Sequence, residues 1–210
     1  MSDFTPLPQS FYEPSAKTVA PMLLGHFLLR RTPSGEWAGG AIVETEAYLA
    51  NDPACHGFRR ETARNRSMYG PPGRAYVYFI YGNYWCFNAV TSPARVAEAV
   101  LIRAIEPTFG DEWMRANRPV PDVRELTSGP AKLCLALDIK RAHDGLDLCD
   151  LSSGLIIAWN DDVKKFHHRH RPMITTTRIG ISVAEELPLR FYLQGSHFVS
   201  RRDRSPGRQA

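Results

Sequence analysis

Residues 42–49 read I-V-E-T-E-A-Y-L, and no other run constrains the fold as tightly. Apolar and β-branched residues at this density favour a strand. Period-two alternation then places Ile42, Glu44, Glu46 and Tyr48 on one face. An apolar strand buries such a face, yet this one carries two carboxylates. A buried carboxylate needs a partner or a task, because breaking a buried ion pair costs about 3–5 kcal/mol. Residues 99–105 (A-V-L-I-R-A-I) supply the matching problem, an apolar strand with Arg103 inside it. An arginine there wants a carboxylate beside it.

Residues 76–88, Y-V-Y-F-I-Y-G-N-Y-W-C-F-N, carry the second signal. Strong strand propensity interrupted at Gly82-Asn83 predicts a hairpin with a primed turn between Tyr81 and Tyr84. Tyrosines therefore flank a tip where solvated hairpins usually carry polar groups. Between the two runs, residues 56–74 hold Arg59, Arg60, Arg64, Arg66 and Arg74 against one acid, Glu61. A carboxylate strand, an arginine loop and an aromatic hairpin are parts suited to an enzyme that works on a nucleic acid.

The other elements fit one α+β domain over residues 1–200, mostly antiparallel strands with peripheral helices. Residues 1–15 read as an arm that packs late or not at all, and 201–210 as a disordered basic tail. Ser15 caps a helix ended by Gly25, and residues 26–31 form a strand. Gly39-Gly40 predicts a bulge or a close backbone approach. Pro107 closes the Arg103 strand, a helix covers 111–117, and Ser128 caps another helix through 137. Strands follow at 155–159, 174–183 and 189–193, with loop between 159 and 172.

The net charge of +4 favours a polyanionic partner without requiring one; its clustering at 56–74, 164–171 and 201–208 strengthens that reading. Cys55, Cys86, Cys134 and Cys149 show no C-x-x-C spacing, and no signal-peptide run follows Met1. They read as reduced thiols in an intracellular chain, cytoplasmic or nucleoid-associated, with no membrane segment. His167, His168 and His170 lack a cysteine or carboxylate at ligand spacing, so no metal and no cofactor is expected.

Taken together, E-T-E-A-Y-L, R-N-R, Y-V-Y-F-I-Y-G-N-Y, V-L-I-R-A-I-E-P, S-G-P-A-K-L-C and L-R-F-Y resemble the alkyladenine (3-methyladenine) DNA glycosylase family. The resemblance runs from about residue 10 to 200 and is weakest between 151 and 172. It implies a curved antiparallel sheet and a monofunctional enzyme that flips a damaged purine from duplex DNA and hydrolyses its N-glycosidic bond. It also implies roles. Glu46 activates water, and Arg103 and the Ile179 carbonyl help to hold it. Tyr48, His56 and Tyr78 line the base pocket, and Asn88 excludes guanine's amino group. Tyr81 wedges into the vacated stack, while Lys132 matches the S-G-P-x-K motif and is grouped with the DNA-binding Arg59, Arg60, Arg64 and Arg66.

The chemistry is coherent without the name. One carboxylate near the sugar can deprotonate water and stabilise an oxocarbenium-like state. A cationic methylated base suits a slot between Tyr48 and Tyr78, since a cation over a ring gains about 0.5–2 kcal/mol. Three readings stay open on sequence alone: the monomeric glycosylase, a non-catalytic nucleic-acid binder, and a hydrolase of free nucleosides. A Schiff-base lyase through Lys132 is disfavoured, because nothing beside it in sequence lowers an amine pKa.

Overall fold

In the computed structural model, which describes residues 4–202, the carboxylate run lies within a twelve-residue strand near the centre of the sheet. The strands are β1 (Phe27–Arg31), β2 (Trp37–Tyr48), β3 (Ala75–Ile80), β4 (Tyr84–Thr91), β5 (Glu98–Phe109), β6 (Leu155–Ala158), β7 (Met173–Thr176) and β8 (Arg190–Leu193). They pair antiparallel in the order β3-β4-β5-β2-β1-β6, with β8 also on β2 and β7 on β8. The described helices are α1 (Gln9–Tyr12), α2 (Ala16–Met22), α3 (Asp111–Asn117), α4 (Arg124–Thr127), α5 (Pro130–Ala136) and α6 (Val163–His170). The expected α+β class is what forms.

Strand β2 is buried from Ala38 to Ala47 because both its edges and both its faces are occupied. The glycine pair makes this possible. A Cβ on Gly39 would sit 2.0 Å from the Leu28 carbonyl oxygen, and one on Gly40 would sit 1.9 Å from that of Glu106. The neighbouring strands close in to distances that any side chain would forbid, and the register shifts between the two glycines. A second irregularity between Ile42 and Thr45 changes which residues share a face. Ile42 joins Leu28, Ala38 and Ala47 in the main core, whereas Glu44, Glu46 and Tyr48 turn to the other side. Strict alternation from Ile42 to Glu44 therefore fails at the bulge.

Several expectations need correction. The N-terminal stretch is not a loose arm over its described part: Leu7 and Tyr12 are fully buried, and the Leu7 N–H bonds the Ile157 carbonyl at 2.8 Å. Phe4 packs edge-on against Phe27, Trp37 and Phe109. Pro107 does not end β5, which continues to Phe109, because it falls at a register shift where its missing N–H is tolerated. The N-cap of α5 is Gly129 and not Ser128. Residues expected as loop contain α6, whose Val163, Phe166, His167 and His170 recur at helical spacing and face inward beneath a cationic surface. The expected strand at 174–183 stops at Thr176, as β7, and then leaves the sheet. Of the tail, 203–210 lie outside the described residues. No helix among the described residues is long and apolar enough to cross a membrane.

Candidate active site

The two acids of β2 meet the arginine expected from β5. Arg103 Nε donates to Glu44 Oε1 at 3.0 Å, and its Nη1 lies 3.1 Å from Glu46 Oε1. Both carboxylates are fully buried, and Arg103 nearly so. Burial alone would lower the guanidinium pKa. The charges of Glu46 and then Glu44 more than offset it, so the net shift is upward and Arg103 stays cationic.

The two acids differ in how many donors they hold. A carboxylate offers about four lone-pair positions. Glu44 takes Arg103 Nε, Arg190 Nε at 2.7 Å, Ser200 Oγ at 2.9 Å and the Ser200 backbone N–H at 2.6 Å. It is saturated. Glu46 takes three groups: Arg103, the Ile179 backbone N–H at 2.8 Å and the Tyr48 hydroxyl at 2.9 Å. Arg103 and Ile179 meet Oε1, and among the described residues Tyr48 alone meets Oε2. Burial first and the Glu46 charge second raise the Tyr48 phenol well above its ordinary value, which keeps it protonated and donating.

Tyr48, Arg103 and Ile179, which hold Glu46, all line a cavity of about 270 Å³; the carboxylate stands directly behind them. The hairpin of β3 and β4 forms another wall through Tyr76, Tyr78, Cys86 and Asn88. The His56 ring meets Tyr78 edge-on with centroids 4.5 Å apart, and its Nδ1 lies 2.9 Å from the Tyr76 hydroxyl. Desolvation against these rings, and then the Arg64 charge, lower the imidazole pKa and favour the neutral ring. Asn88 is fixed by a 3.0 Å bond from its Nδ2 to the Tyr76 carbonyl. Burial pushes the Cys86 thiol up to about 11, so the wall there is uncharged. At the rim, Tyr81 is 79% exposed. The hairpin loop holds three residues, 81–83, and not the expected two, because Tyr81 leaves the strand and joins it. Ile80 pairs Tyr84, and the positive-φ residues are Tyr81 (φ 52) and Gly82 (φ 74).

The structure thus gathers Glu46, Arg103, Ile179, Tyr48, His56, Tyr78, Asn88 and Tyr81 at one place, with the Ile179 N–H, and not its carbonyl, on Glu46. The basic residues divide. Arg59, Arg60 and Arg64 line a second cavity of about 280 Å³ that shares His56 and Tyr76 with the first. Arg64 Nη2 also donates to the Phe79 carbonyl at 2.9 Å, tying this loop to the hairpin. Arg66 pairs with Glu61 at 3.3 Å. Lys132 bonds Glu125 and is not part of the cavity wall, although Pro130 and Ala131 before it are. Among the described residues no three His, Cys, Asp or Glu come together as a metal site, and His167 bonds the Leu24 carbonyl at 2.7 Å. Sequence reasoning missed the buried pair of Arg178 and Asp52 beside Tyr48. A lone arginine preceding Ile179 in a run of threonines was the available signal.

A family model described as methylpurine-DNA glycosylase matches residues 10–197. Curated relatives carry the name "Putative 3-methyladenine DNA glycosylase". One from Francisella tularensis subsp. tularensis (strain FSC 198) is 45% identical over 183 residues, covering 87% of this chain and 92% of the relative. One from Carboxydothermus hydrogenoformans is 45% identical over 201 residues, and one from Methanoculleus marisnigri is 46% identical over 196. In both cases 93% of this chain and 99% of the relative are covered.

Proposed function

The chain belongs to the methylpurine-DNA glycosylase family and is a DNA glycosylase for alkylated bases; from that premise and the site we propose how it works. It everts a damaged purine into the tyrosine-walled cavity and hydrolyses the bond to deoxyribose with a water activated by Glu46. One observation carries the reading. Of the two buried acids on this strand, Glu46 has its three described donors, Tyr48, Ile179 and Arg103, in the cavity wall, whereas Arg190 and Ser200, which help to hold Glu44, lie outside it.

In this mechanism Glu46 accepts a proton as the water oxygen attacks C1′ of the sugar. The C1′–N bond breaks and its electron pair leaves with the base. A methylated purine is already cationic, so it departs neutral and needs no acid. Arg103 sets a cation against the Glu46 carboxylate, 3.1 Å from Oε1. Tyr48 and Tyr78 offer ring faces to the base, His56 closes the slot, and Asn88 screens the purine edge. Tyr81 fills the gap left in the stack, which offsets part of the few kcal/mol that eversion costs. Arg59, Arg60, Arg64 and Arg66 face the duplex, with Lys132 at the margin, and the enzyme acts as a monomer inside the cell. The exposed tyrosine tip and the basic loop favour duplex DNA over free nucleosides, which need neither.

The test is release of free base from methylated duplex DNA by the native protein and by Glu46→Gln. The glutamine variant is expected to lose at least about 10²–10⁴-fold in single-turnover rate while still binding the duplex. Undiminished release by Glu46→Gln refutes the assignment.

A further inference from the structure

Arg178 is the one buried residue in the stretch 177–183, which otherwise lies exposed or half-exposed and has neither helix nor strand. Its guanidinium grips the buried Asp52 with two N–H groups, one of them at 3.1 Å, and reaches the Ala47 carbonyl at 3.1 Å. Its Nε finds no acceptor among the described residues. The Arg178 Cζ stands 4.8 Å from the centroid of the Tyr48 ring. Tyr48 lines the cavity and Arg178 does not, so the cation covers that ring from behind.

The two faces of an aromatic ring share one π cloud. A cation behind the ring draws electron density away and lays a positive potential across it, so the front face attracts a second cation less. Asp52 moderates this field without removing it, because the guanidinium and not the carboxylate lies over the ring. We propose that Arg178 is a specificity-determining residue: from behind Tyr48 it weakens the pocket's preference for cationic purines and thereby admits neutral damaged purines. This rests on Tyr48 walling the base site, as argued above.

The test measures dissociation constants in a Glu46→Gln background, so that no base is lost during binding. Duplexes carry 7-methylguanine (cationic), hypoxanthine (neutral) or no lesion. The quantity read is the dissociation constant for hypoxanthine divided by that for 7-methylguanine. Replacing the pair by Arg178→Met with Asp52→Asn removes both charges at similar volume, a change that buried pairs often tolerate. It is expected to raise the ratio about two- to thirtyfold, the range of one cation–ring contact. Asp52→Asn alone leaves the cation unbalanced and is expected to lower the ratio.

A clamp that only held the loop in place would weaken both lesion complexes together and leave the ratio alone. A ratio unchanged within about twofold in the double variant, or moving the same way in both variants, overturns the proposal. If Asp52→Asn does not fold, the double variant decides alone. A parent protein that binds neither lesion more tightly than undamaged duplex refutes the pocket reading itself; lesion-selective binding with an unchanged ratio refutes only the role of Arg178.

Discussion

Replacing Tyr81 with glycine separates function from stability at the hairpin tip. The residue sits at φ 52, in the left-handed region. An L side chain there costs roughly 1–2 kcal/mol, which glycine avoids. Glycine in turn loses about 0.5–1 kcal/mol more backbone entropy on folding than alanine does. Since Tyr81 is 79% exposed, it returns little through burial. The balance is about 0–1.5 kcal/mol in favour of Tyr81→Gly. For a chain of this size that is an unchanged melting temperature or a gain of up to about 5 °C. Activity moves the other way. Loss of a stacked aromatic costs about 1–3 kcal/mol, so single-turnover release from a 7-methylguanine duplex falls roughly five- to 150-fold. The loss shrinks when the lesion is in a single strand, where no paired stack needs refilling. Thermal denaturation alongside both excision assays decides the matter. A Tyr81→Gly variant melting several degrees lower, or cutting duplex at the native rate, refutes the reasoning.

Glu44→Gln removes the charge that Arg103 and Arg190 share, and urea denaturation is expected to show a loss of about 3–5 kcal/mol. Stability also depends on pH through His26. Burial, and then the nearby His167, lower its pKa from 6.5 to about 4, and its Nδ1 accepts the Asn160 N–H, as only the neutral ring can. The unfolded chain therefore binds the extra proton first, and stability is lost as pH falls from about 6.5 to about 4. That loss is at most about 3 kcal/mol. Denaturation curves of His26→Gln across this window should be flatter than those of the native protein; parallel curves would remove His26 from the explanation.

The sequence made the strands and the site easy to read for one reason: unusual residues stood in ordinary elements. Two acids in one apolar strand and one arginine in another had to meet, and Glu44, Glu46 and Arg103 do. Two kinds of feature were hidden. The register shift between Ile42 and Thr45 has no glycine to announce it, unlike the one at Gly39-Gly40, so Ile42 joined the wrong face on paper. Helix α6 was masked because histidines and lysines suppress apolar periodicity, although positions 163, 166, 167 and 170 keep it. The Asp52–Arg178 pair joins partners 126 residues apart, a contact no local pattern specifies.

If Glu46 is the base, as proposed above, the arrangement of the two acids also gives the second one a purpose. Arg103 facing a single buried carboxylate would close on it with two parallel N–H bonds, the favoured arginine–carboxylate geometry. That would crowd the carboxylate oxygen on which the proposed mechanism places a water. Glu44 prevents this by taking Arg103 Nε, while Ser200 Oγ receives Nη2 at 3.3 Å, so that Nη1 is left for Glu46. Arg190 balances the added acid, and the Ser200 backbone completes its fourth bond. The added carboxylate thus turns the guanidinium so that Nη1 alone reaches Glu46, which on the proposed mechanism leaves that acid room for a water.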